Sequence, residues 1–155
     1  MMAGVNHARR HEDGIEALVV KKELRRCTDG ARILLVEDNE DFCSLMNLTL
    51  RQAGYAVDCA TCAEDGLRML EAQRYHLVLS DYSLPGCSGV WLLSRAIERN
   101  LMAGDAALLV TGDPEAPGIM DSISVVAKPV DFDRLLRQIR TMVASSLNVV
   151  RSEAA

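Results

Sequence analysis

The sequence predicts an α/β fold, a doubly wound sandwich on a five-stranded parallel sheet, and three observations carry that expectation. Short apolar runs and amphipathic stretches alternate five times between Ile33 and Val143. The short runs are nearly continuous in apolar residues rather than alternating, as in strands covered on both faces by crossover helices. Each run stops abruptly at a polar residue, and right-handed crossovers with a reversal of strand order near the first strand complete the architecture.

Taken in order, residues 1–30 form an N-terminal extension. A loose tail is followed by a plausible helix from Asp13 to about Cys27, with Glu16 in its first turn and Lys21, Lys22, Arg25 and Arg26 near its end. Against a membrane-surface role for that basic cluster, a helix packed on the domain, or a frayed extension, is the simpler expectation. Ile33 to Val36 is the first strand, ended by Glu37-Asp38-Asn39. Asn39 suits a helix cap, and Phe42, Leu45, Met46, Thr49 and Leu50 keep the spacing of one buried face up to a stop at Gly54. Tyr55 to Ala60 is the second strand, and Thr61-Cys62-Ala63-Glu64 has the form of a capping box opening a helix with Ala63, Leu67 and Leu70 inward. His76 to Ser80 is the third strand, and Ser88 to about Asn100 the third helix. A fourth strand, Ala106 to Val110, ends at Thr111; Pro114 and Pro117 then punctuate a segment in which the fourth helix is short or irregular. Ile123 to Ala127 is the fifth strand, ended by Lys128-Pro129, and Asp131 caps a last helix carrying Phe132, Leu135, Leu136, Ile139 and Val143 on one face. This places the main domain at residues 31–146, with a C-terminal tail over 147–155.

Bulk properties bound the function. At 155 residues the chain suits one domain, and 49% apolar with 25% charged residues fits a soluble globular protein. The net charge of −5 argues against direct binding of nucleic acid. No apolar run is long enough to span a membrane and no secretory leader is evident, so a cytoplasmic location is expected. The cysteines (Cys27, Cys43, Cys59, Cys62, Cys87) are odd in number and scattered, which suits a reducing compartment better than a disulfide framework. Cys59-x-x-Cys62 at a strand-to-helix junction has the form of a redox motif, but two buried or half-buried thiols are the simpler expectation. Cys87, in the loop after Asp81, is a candidate reactive thiol, whereas His76, His7 and His11 are too dispersed for zinc.

The strand ends carry the chemistry. In a parallel sheet they share one edge, so Glu37 and Asp38, Asp81, Thr111 and Lys128-Pro129 converge. The carboxylates repel one another unless a cation compensates, and Mg²⁺, a hard ion that prefers oxygen, is the natural one. A lysine ammonium and a threonine hydroxyl at the same edge supply the point charge and hydrogen bond that a phosphoryl group needs. The chemistry suggested is phosphoryl transfer to Asp81. Taken singly, the acids also suit turn starts or helix caps, a threonine closing a buried strand is ordinary, and Lys-Pro commonly ends one.

The strings LLVEDN, LVLSDYSLPGCSG, LLVTGD and VAKPVD, in that order and each at a strand end, resemble the response-regulator receiver domains of two-component signalling. The resemblance covers about Ala31 to Ser146 and implies a flavodoxin-like strand order of 2-1-3-4-5, as in the chemotaxis regulators. By position it implies Asp81 as phosphoacceptor, with Glu37, Asp38, Asp81 and the Ser83 carbonyl around Mg²⁺. It further implies Thr111 and Lys128 as contacts of the phosphoryl oxygens, Pro129 after a cis bond aiming Lys128, and Ser83 and Asp113 flanking the site. Two departures stand out. The position three residues before the site lysine, usually an aromatic switch residue, is Val125, and the stretch from Gly112 to Ser122 is shorter than usual.

The expected function is a single-domain response regulator, with no output domain after the last helix. It is phosphorylated on Asp81 by a histidine kinase or phosphotransfer protein and acts through altered binding of a protein partner the sequence does not specify. It is not an enzyme, except in assisting its own phosphoryl transfer and dephosphorylation. The alternative is a receiver-fold interaction module that works without phosphorylation. A phosphohydrolase is disfavoured because Ser83 stands where a second acid is required, and a dinucleotide enzyme because no glycine-rich turn follows the first strand.

Overall fold

The computed structural model describes residues 30–154 together with Gly14, Ile15, Leu18 and Val19. Apart from those positions, the expected N-terminal tail and helix, with His7, His11 and Cys27, lie outside the described residues. The elements are β1 (Arg32–Val36), α1 (Glu40–Gln52), β2 (Ala56–Ala60), α2 (Ala63–Ala72), β3 (Leu77–Asp81), α3 (Gly89–Glu98), a 3₁₀ turn (Gly104–Ala106), β4 (Ala107–Thr111), β5 (Ser124–Ala127) and α4 (Phe132–Glu153). All strand pairs are parallel and their order is β2-β1-β3-β4-β5, as expected.

The sheet divides two apolar layers. On one face Ile33, Leu35, Leu77, Leu79, Leu108 and Val110 pack against Met46 and Leu50 of α1 and Leu135, Ile139 and Val143 of α4. On the other, Leu34, Val36, Val78 and Leu109 meet Leu67 and Leu70 of α2 and Leu92, Leu93 and Ala96 of α3. The central strands β3 and β4 are buried along their whole length, whereas the edge strands β2 and β5 are not. Their flanks lack a neighbouring strand, so the continuous burial expected from the apolar runs holds only for the middle of the sheet.

Local chemistry sets the helix starts. Asn39 Oδ1 accepts the Phe42 N–H at 2.9 Å, Ser88 Oγ accepts the Trp91 N–H at 3.2 Å, and Asp131 Oδ1 accepts the Arg134 N–H at 3.0 Å. Gly54, at φ +100°, turns the chain out of α1. The capping box expected at Thr61 does not form: Cys62 is the N-cap of α2 and makes no side-chain cap bond. Glu64 instead reaches the loop after β3, where its Oε1 accepts the Cys87 N–H at 3.4 Å. The carboxyl of Glu64 lies below the usual range, chiefly through its own backbone N–H and then the Cys87 thiol. Leu45, expected inward, is half exposed, because Met46 and Leu50 already fill the space under α1. His76 has a structural role, its Nδ1 accepting the Arg32 N–H at 2.9 Å.

No helix forms between β4 and β5; residues 112–123 run as bends and turns with glycine at Gly118 in the left-handed region. An open groove of about 390 Å³ follows β5, lined by Pro114, Val125, Lys128, Arg134 and Gln138 among others. At the other end, α4 continues to Glu153, so most of the segment expected as a tail is helical, with Leu147 packed on the core.

One close approach ties the fold to the strand edge. A Cβ on Gly89 would lie 2.0 Å from the carbonyl oxygen of Asp81 and 2.8 Å from Ser80 Oγ. Backbone cannot yield there cheaply, so α3 sits against the end of β3 only because this residue has no side chain. Gly89→Ala is expected to lower stability by about 1–3 kcal/mol, the cost of overpacking a tight site. Gly112→Ala, with nothing near its Cβ position, is expected to stay within about 0.5 kcal/mol. Urea unfolding followed by circular dichroism measures both.

Candidate functional site

The sheet register brings the polar strand ends together. Val36 pairs with Ser80, Asp81 with Val110, and Thr111 with Ala127, so Glu37 falls level with Asp81 while Lys128 follows Thr111. The Lys128 N–H continues the ladder by donating to the Thr111 carbonyl at 2.8 Å. Side chains alternate along a strand, and Asp81 and Lys128 share the parity of Leu79 and Val126, which belong to the α1/α4 layer.

One ligand atom from each of Glu37, Asp38 and Asp81 lies within 4.8 Å of the other two. Glu37 and Asp81 are buried, at 3% and 6% exposure, whereas Asp38 faces solvent. The Glu37 Oε1 accepts the Asn39 N–H at 3.0 Å, so the same asparagine caps α1 and orients an acid. Burial raises the pKa of Glu37, and the charge of Asp81 adds to the rise; the Asn39 N–H and Lys128 pull the other way. Desolvation is the largest of these effects, and of the two neighbouring charges Asp81 outweighs Lys128. Three hard oxygen donors, two of them desolvated, at one open edge fit a divalent cation of the magnesium type.

Lys128 Nζ is 3.1 Å from Asp81 Oδ1. Its ammonium also lies over the Phe42 ring, 5.6 Å from the centroid, and that ring meets Phe132 at a tilted 6.4 Å. The lysine is thus aimed by an aromatic pair from α1 and α4, on a cation–π contact as well as an ion pair. The sequence reading took both phenylalanines as core positions and missed this role. Its signal was the placement of Phe42 at the open first turn of a helix, and of Phe132 just after the Lys-Pro pair. Gly89 was missed in the same way. The Lys128–Pro129 bond is cis.

Thr111 is at the edge and 3% exposed, but its hydroxyl is occupied locally. It donates to the Asp113 carbonyl and accepts the Asp113 N–H, both at 3.1 Å. Asp113 Oδ1 in turn accepts the Glu115 N–H at 3.0 Å, so this flanking acid serves the turn after β4. Ser83 is exposed in the loop after Asp81. Val125 is half-buried in β5, paired with Leu109, and borders the open groove. Of the cysteines, Cys59 is exposed, contrary to the expectation of a buried or half-buried thiol, because β2 is an edge strand; Cys62 and Cys87 are half-buried.

A carboxylate whose pKa rises on folding holds its proton more tightly in the folded chain. Its ionisation therefore costs stability progressively as pH climbs from the ordinary glutamate value of 4.5 through the raised one. Without metal, Glu37→Gln is expected to be more stable than the wild type at neutral pH. The gap should close below the ordinary glutamate value, and divalent cations should reverse the order by stabilising only the wild type. Urea titrations at several pH values, with and without Mg²⁺, check each part.

The family model described as the response regulator receiver domain matches residues 33–140. The phosphoglycerate transport system transcriptional regulatory protein PgtA of Salmonella typhimurium is 32% identical over 128 residues, covering 75% of this chain but only 30% of PgtA. Among solved structures, a CheY-like receiver domain protein from Methanospirillum hungatei aligns at a TM-score of 0.69 and 27% identity, over 76% of this chain and 97% of its own. The response regulator TrrA of Thermotoga maritima, in complex with Mg²⁺-BeF, aligns at a TM-score of 0.64 and 26% identity, over 72% of this chain and 98% of its own. With the strand order and the acidic edge in place, the chain belongs to the response regulator receiver domains of two-component systems.

Proposed function

We propose that Asp81 accepts a phosphoryl group from a histidine kinase or phosphotransfer protein, with Mg²⁺ bound by Glu37, Asp38, Asp81 and the Ser83 carbonyl. The observation that carries this is the juxtaposition of Asp81 with both an acidic cluster and the Lys128 ammonium at 3.1 Å. An Asp81 carboxylate oxygen attacks phosphorus as the P–N bond to the donor histidine breaks, and the imidazole leaves with the electron pair. Lys128 supplies a fixed positive charge to the incoming oxygens, and the metal when bound neutralises charge on the transferring group. Thr111 reaches the phosphoryl group by giving up its bond to the Asp113 carbonyl. The phosphorylated chain then differs from the free one in the arrangement of the β4–β5 segment, and a protein partner reads that difference.

In this proposal the chain works as a stand-alone, cytoplasmic regulator whose chemistry is limited to its own phosphorylation and dephosphorylation. Among the described residues no helix is long and apolar enough to cross a membrane. A second reading, an interaction module indifferent to phosphorylation, is favoured by Val125 at the switch position and by the missing helix before β5. The complete set of acids with Lys128 at the edge supports the first.

Incubation with radiolabelled acetyl phosphate tests the choice. The wild type is expected to incorporate label only with Mg²⁺, and Asp81→Asn to incorporate none. Lys128→Met is expected to bind Mg²⁺ yet lose most of the label. A wild type that stays unlabelled alongside an ordinary receiver domain contradicts the proposal and leaves the phosphorylation-independent module.

A further inference from the structure

We propose that Cys43 and Cys59 form an oxidation-sensitive thiol pair that closes into a disulfide between α1 and β2, beside the acidic cluster. Val57 of β2 is buried in the α1/α4 layer, and Cys59, two residues on, shares its face. The register pairs Cys59 with Leu35, which belongs to that same layer. Opposite, Cys43, Met46 and Leu50 make one stripe of α1, with Met46 and Leu50 fully buried and Cys43 packed against the layer. The two cysteines therefore face each other across the helix–strand contact, close enough for Cys59 to act on the Cys43 thiol.

The partner of Cys59 is thus not the nearer cysteine in sequence. Cys62 is the N-cap of α2, which packs on the opposite face of the sheet. Cys59 is exposed and Cys43 half-buried, so an oxidant from solvent meets Cys59 first. Burial, and then the neighbouring Cys59, push the Cys43 thiol up to about 11, which leaves it protonated and the weaker nucleophile. With a peroxide as oxidant, the Cys59 thiolate attacks one peroxide oxygen, the O–O bond breaks and hydroxide leaves, giving a sulfenic acid. The Cys43 sulfur then attacks the Cys59 sulfur, the S–S bond forms, the S–O bond breaks, and water departs with the Cys43 proton. Two thiols and one hydrogen peroxide become one disulfide and two waters.

The folded full chain is treated with hydrogen peroxide, free thiols are alkylated, and an unreduced digest is mapped by mass spectrometry. A Cys43–Cys59 linked peptide is expected as the main intramolecular link, reversible by dithiothreitol. It should vanish in Cys59→Ser and in Cys43→Ala, each checked for folding by circular dichroism, and persist in Cys62→Ser. A main link of Cys59 to Cys62 or Cys27, or oxidation of Cys59 to sulfinic acid without a disulfide, overturns the proposal. The wild-type map alone distinguishes these outcomes, and none of them depends on phosphorylation of Asp81.

Discussion

The parallel register of β1, β3, β4 and β5 is the constraint on which the rest of the site depends. Residues separated by most of the domain, Glu37 and Lys128, become neighbours because four strands end together and each hands over at its last apolar residue to a polar one. A slip of one residue in β3 would carry Asp81 to the opposite face of the sheet, away from Lys128. The slip is opposed from both sides. Leu77 and Leu79 are fully buried in one layer and Val78 in the other, and Gly89 lets α3 lock onto the Asp81 carbonyl.

That geometry concentrates like charge, and the local structure shows how it is tolerated. Asn39 donates to Glu37, Lys128 pairs with Asp81, and Asp38 stays in solvent where its charge is screened. Lys128 is itself 39% exposed at the side chain, so its pairing with the nearly buried Asp81 is partly weakened by water. The Phe42 ring, tilted against Phe132, gives the ammonium a second contact besides the ion pair. Burial, and after it the charge of Asp81, still raises the pKa of Glu37, and a divalent cation is the ligand that buried neighbouring carboxylates favour.

Much of this was legible before the structure. Apolar runs ended by Glu37, Asp81, Thr111 and Lys128 identify strand ends without any contact information, since burial demands apolar strands and the polar residue marks where burial stops. Less legible were properties set by neighbours distant in sequence. Leu45 keeps helical spacing yet is half exposed, because the width of the buried stripe depends on what lies beneath it. Cys59 reads as a buried or half-buried thiol until β2 is known to be an edge strand. Glu64 satisfies the pattern of a capping box, but the β3–α3 loop offers it better partners. The Thr111 hydroxyl is held by the turn that follows it, a local competition that no strand-end pattern records.

The proposed function requires that one charged edge responds as a unit and that its response travels into the β4–β5 segment. Amide spectra of the isotope-labelled chain, with Mg²⁺ alone and with Mg²⁺ plus beryllofluoride, test it most directly. Mg²⁺ is expected to shift resonances around Glu37, Asp38 and Asp81. Beryllofluoride then moves Thr111, Asp113, Val125 and Lys128 as well. Spectra that do not change with either addition, or changes confined to the acidic residues with the β4–β5 segment unmoved, would contradict it.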